Sequence, residues 1–78
     1  MKKIKLKIGT PYLDIRTSKI RVIRSCNFGY VTYDVFIAEM NSWVTQVMPY
    51  YQFKGHVEFG RFILYQGELP KANFTEVL

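Results

Sequence analysis

The sequence predicts a mainly β domain: one small antiparallel, strongly curved sheet of four or five strands, with at most one short helix near 42–48. Three observations carry this reading. Tyr30 to Glu39 alternates Val31, Tyr33, Val35 and Ile37 with Tyr30, Thr32, Asp34 and Phe36, a period of two rich in β-branched and aromatic residues. Lys2–Ile8 and Lys19–Cys26 repeat that period. Asn27-Phe28-Gly29 separates two such runs and suits a three-residue hairpin loop, with Gly29 in the left-handed position.

Taken in order, Lys2–Ile8 places Lys3, Lys5 and Lys7 on one face and Ile4, Leu6 and Ile8 on the other. A row of lysines is a common guard on an edge strand. Gly9-Thr10-Pro11 breaks or bends the strand, and Tyr12–Arg16 resumes it before a tight turn over 16–19. In Lys19–Cys26, Ile20 and Val22 alternate until Arg24, so a bulge or a strand end is expected near Ile23.

After the central strand, Asn41 or Ser42 can cap a short helix on which Trp43, Val44, Val47 and Met48 share a face, with Pro49 as its stop. Alternation of Trp43, Thr45 and Val47 also permits a strand. Tyr50–Phe53 reads as a short strand, Lys54-Gly55 as a turn, and His56–Gln66 as a long strand with a bend or a close backbone approach at Gly60. Residues 67–78 lose alternation and read as a loosely packed tail. This element order is similar to the five-stranded OB-type barrel, which carries a helix between its third and fourth strands. An SH3-like barrel, or a curved sheet with one helix against it, satisfies the same pattern.

The 78 residues form one domain, 1–78, with a core that is marginal for its size. A single cysteine, Cys26, excludes an internal disulfide, and with one histidine, His56, no four-ligand Cys/His zinc site can form. Cohesion is therefore expected from thirteen Phe, Tyr and Trp residues. The start, MKKIKLKIGTP, lacks the apolar run of a signal peptide or membrane anchor, so a cytoplasmic protein is expected (host cytoplasm if phage-encoded).

Charge is lopsided. Residues 1–24 hold eight of the eleven Lys/Arg against one acid, Asp14, while residues 25–78 hold three against five acids. Catalytic patterns are missing. Cys26 and His56 match no nucleophile–base spacing, the carboxylates are scattered, and the five glycines form no phosphate loop. The expectation is a non-enzymatic protein without cofactor or metal. Its partner would be a larger protein or nucleoprotein with an acidic patch, which it modulates or inhibits, as small accessory proteins of phages and mobile elements do.

The partner-binding candidates are Lys3, Lys5, Lys7, Lys19, Arg21 and Arg24 for electrostatic steering, and Tyr50 and Tyr51 as anchors. Asp34 is expected to pair with Arg21 or Arg24. The alternative is a single-stranded nucleic-acid-binding domain whose basic hairpin meets phosphates while sheet aromatics stack bases. A homodimer is a further way to complete the core, and no membrane is expected.

Overall fold

A computed structural model describes residues 5–71 and is mainly β, as expected. Five strands, β1 (Pro11–Asp14), β2 (Lys19–Asn27), β3 (Tyr30–Ile37), β4 (Ser42–Pro49) and β5 (Phe62–Leu64), form one antiparallel sheet. The order is β4-β3-β2-β1-β5, and the single helix, α1 (Tyr50–Glu58), lies between β4 and β5 in sequence. The sheet does not close: β4 and β5 are its two edges.

The β2–β3 hairpin forms where expected, but with a tighter turn. Asn27 pairs with Tyr30, so the loop is the two residues Phe28 and Gly29. Both have positive φ, +52° and +79°, the pattern of a type I′ turn. The bulge also falls where the alternation fails, between Ile23 and Ser25. Its extra residue brings Cys26 back to the same face as Ile23, opposite Val31.

The helix lies at 50–58 and not near 42–48. Residues 42–49 pair in unbroken register with β3, from Tyr30↔Pro49 to Ile37↔Ser42. Alternation of Val44 and Met48 toward the core with Trp43, Thr45 and Val47 away from it prevailed over the weaker helical spacing. Pro49 starts the helix instead of stopping it. Its φ of −57° is already helical, and its missing N–H costs nothing at a helix entrance.

Tyr50–Phe53 and Lys54-Gly55 are therefore helical, and the long strand expected over 56–66 shrinks to β5. The competing term is burial, since Phe53 and Val57, spaced i, i+4, both pack on the core from one helix face. The helix ends in a Schellman motif: Gly60, at φ +78°, donates to the Val57 carbonyl and Arg61 to that of His56. The bend expected at Gly60 is thus a helix terminus.

Of the expected strand over residues 2–8, Lys5–Ile8 is not a strand, and the rest lies outside the described residues. The segment turns at Gly9 (φ +86°) and attaches to β2 through Gly9 N–H to the Ile23 carbonyl and Ile23 N–H to the Thr10 carbonyl. Leu6 still reaches the core.

One face of the sheet carries the core. Phe53, 0% exposed, meets the rings of Tyr12, Tyr33 and Phe62 at centroid distances of 5.7, 5.6 and 4.9 Å, all edge-on or tilted. Ile23, Val31, Val35 and Leu6 complete the cluster. Replacing Phe53 with Ala should cost about 3–5 kcal/mol. Against the roughly 4–12 kcal/mol expected for a domain of this size, that loss will show as a large fall in the denaturant midpoint, or as an unfolded chain, in circular dichroism.

Candidate protein interface

Helix α1 covers one face of the sheet; the register shows what the other face presents. Phe36 lies opposite Trp43, Asp34 opposite Thr45 and Val22, Thr32 opposite Val47, and Leu13 opposite Ile20 and Ile63. None of these belongs to the core cluster under α1. Phe36 and Trp43 pack edge to face at 5.2 Å. The apolar row continues through Val47, 59% exposed, to Tyr30. Beyond Tyr30 the hairpin tip holds Phe28, 100% exposed.

At the centre of this face Asp34 is held on both oxygens. Arg24 Nη1 donates to Oδ2 at 3.0 Å and Thr45 Oγ1 to Oδ1 at 2.7 Å. Arg24, two residues on from Val22, falls on this face, whereas Arg21 pairs with Val35 on the core face, so Arg24 is the partner of Asp34. A shallow groove of about 250 Å³ runs beside the pair, lined by Val22, Arg24, Asp34, Trp43 and Leu69. The segment after β5 thus returns over this face, and the part of the expected tail beyond Lys71 lies outside the described residues.

The sequence-derived candidates do not form one patch. Lys3 lies outside the described residues, and Lys5 and Lys7 are exposed on the segment before β1. Lys19 is half-buried at the start of β2. Arg21 is a structural residue: it donates to Asp14 Oδ2 at 2.9 Å and lies over the rings of Phe62 and Tyr33, 5.0 and 5.8 Å from their centroids. Arg24 stands on the open face. Tyr50 packs against the core, whereas Tyr51, one residue on, is 77% exposed. Trp43 and Phe36, the largest groups of the open face, were not among the candidates. Their signal was the alternation of Trp43, Thr45 and Val47.

The opposite end of the sheet gathers Arg16, Arg21 and Arg61 around Asp14 and His56. Burial pushes the Asp14 carboxyl up, but the Arg16 N–H, the Arg21 guanidinium and Thr17 outweigh it and hold the group below its ordinary range. His56 stacks on Phe62 at 4.7 Å, and Arg61 Nη1 stands 3.5 Å from its Nδ1. Burial, then the Arg61 and Arg16 charges, push its imidazole below 6.5.

Cys26 pairs with Val31 near the hairpin end, and His56 stacks at the end where β2 begins. The seven steps along the strand from Lys19 to Cys26 separate those ends by ~23 Å, too far for a nucleophile–base pair. Among the described residues no group of His, Cys, Asp and Glu could hold a metal ion, and no helix is long and apolar enough to cross a membrane. Compared with known proteins, the chain matches no family model, no curated protein and no solved structure.

His56 is the only histidine, so proton NMR follows it without ambiguity. Its folded-state midpoint should fall below 6.5, and Arg61→Ala should raise it. With the folded pKa below the unfolded one, the unfolded chain binds the extra proton first. Stability from this group is complete above pH 6.5 and is lost as the pH drops through the folded midpoint.

Proposed function

We propose that this chain is a non-enzymatic binding module that docks, through the sheet face opposite α1 and the β2–β3 tip, on a larger protein or nucleoprotein and modulates it. The observation that supports this most is Phe28. A bulky residue at φ +52° is strained, because the first position of a type I′ turn favours Asn or Gly. The same residue leaves its whole ring in water. Two costs at one position are explained when the ring is used as an anchor, since aromatic side chains dominate binding hot spots. Tyr30, Val47, Trp43 and Phe36 extend that anchor along the open face, with the Arg24–Asp34 pair as its polar centre.

The nucleic-acid reading draws less support. An OB-type site needs a barrel with cations beside its exposed rings, whereas this sheet has two edges. Its open face has Asp34 at the centre, and the Arg24 beside it is already paired. Lys5 and Lys7, which lie off that face, suit electrostatic steering toward an acidic partner surface.

The test uses the wild-type chain, Phe28→Asn and Trp43→Ala as baits for affinity capture from a cognate lysate. Phe28→Asn should raise folding stability by about 1 kcal/mol by relieving the turn, yet lower capture of the partner at least about tenfold. Trp43 is the only tryptophan, so its emission should shift to the blue when the identified partner covers the face. A partner retained equally by all three baits would overturn the reading. So would binding to oligonucleotides that is tight and falls steeply between about 50 and 200 mM salt.

A further inference from the structure

Strand β4 is an edge, and its sequence, Ser-Trp-Val-Thr-Gln-Val-Met-Pro, holds no charged residue. Its register with β3 is unbroken over all eight residues. Edge strands are normally blunted by charge, a bulge, an internal proline or shortness. The other edge, β5, is blunted by shortness, at three residues. Among the described residues nothing pairs with the outer side of β4.

The ladder fixes which backbone groups point outward. Tyr50 N–H donates to the Gly29 carbonyl at 2.8 Å, which makes that pair a hydrogen-bonded one. In an antiparallel ladder such pairs alternate, so Met48, Gln46, Val44 and Ser42 bond to β3. Trp43, Thr45 and Val47 therefore turn their N–H and C=O groups outward. Pro49, which has no N–H, falls correctly on the outward set.

The geometry points to a second copy of this chain as the occupant of that edge, β4 pairing antiparallel with β4 about a two-fold axis at Thr45. That register places Thr45 against Thr45 and Trp43 against Val47, each copy's outward groups meeting the other's in about six hydrogen bonds. Thr–Thr and aromatic–β-branched pairs are favourable cross-strand neighbours. On the core side the same register sets Val44 opposite Gln46. No like charges meet along the seam, because β4 has none to bring. The cationic end around β1 is three strand spacings away, ~14 Å, beyond the screening length of ~8 Å at physiological salt. An isologous seam of this kind joins the two open faces into one surface with its aromatic rows side by side.

Sedimentation equilibrium from about 10 μM to 1 mM, with amide hydrogen exchange on the wild-type chain at both limits, tests the pairing. A monomer–dimer equilibrium is expected, with the Trp43, Thr45 and Val47 amides gaining protection as concentration rises. Val47→Pro removes an outward N–H that β3 does not use, so it should keep the monomer's circular dichroism while weakening association at least about tenfold. On a Cys26→Ala background, Thr45→Cys should form an interchain disulfide across the axis, where Cα atoms approach to about 5.5 Å.

A chain that stays monomeric to 1 mM overturns the proposal, as does a dimer in which these amides exchange freely. Odd-position protection independent of concentration overturns it too, since that places a segment of the same chain on the edge. None of these results touches capture through Phe28, which the baits measure separately.

Discussion

The contact on which the rest of the molecule depends is the insertion of Phe53 among Tyr12, Tyr33 and Phe62. A nine-residue helix with no acidic residue in its first turn and no side-chain cap has little stability of its own. It exists because Phe53, with Val57 beside it, is pressed against the sheet. The sheet needs it equally, because β5 is held only to the three residues Tyr12–Asp14 and follows directly from the helix's C-terminal turn. Removing the ring from the cage would release helix and edge strand together.

Around that contact the charged groups divide into structural and free ones. Asp14 and Arg21 close the sheet beside Phe62, and Asp34 ties Arg24 to Thr45 across three strands. These four residues carry formal charge yet offer little of it to a partner. Among the described residues, the exposed charge that remains sits on Lys5, Lys7, Arg16, Arg61 and Lys71 and on Glu39, Glu58 and Glu68. A net charge of +5 therefore overstates how basic the aromatic face is.

Much of the sheet was legible in the sequence, and the part that was not has a common cause. The β2–β3 hairpin and its bulge follow from period-two alternation and from Gly29, which are local signals. The segment from Ser42 to Arg61 departs from its first reading because its fate is decided by tertiary contacts. Trp43–Met48 fits two periodicities, and pairing with β3 selected one. Tyr50–Glu58 has the aromatic content of a strand and the glycine of a turn, but burial of Phe53 made it a helix. The interface candidates scatter over the fold for a related reason. Arginine content suggested a surface role for Arg21, whose side chain lies folded over two core rings. Which tryptophan or phenylalanine faces water depends on which side of the sheet the helix takes, and composition does not encode that.

The two borders of the sheet are unequal, one eight residues long and the other three. Head-to-tail stacking, which leads to fibrils, needs a receptive border at each side so that every added copy exposes a new one. Here the second border is too short to accept a strand of the first one's length. Growth by strand addition at β4 would accordingly stop after one event, so a border that is uncharged and unpaired among the described residues need not bring the polymerisation hazard that such a border usually carries.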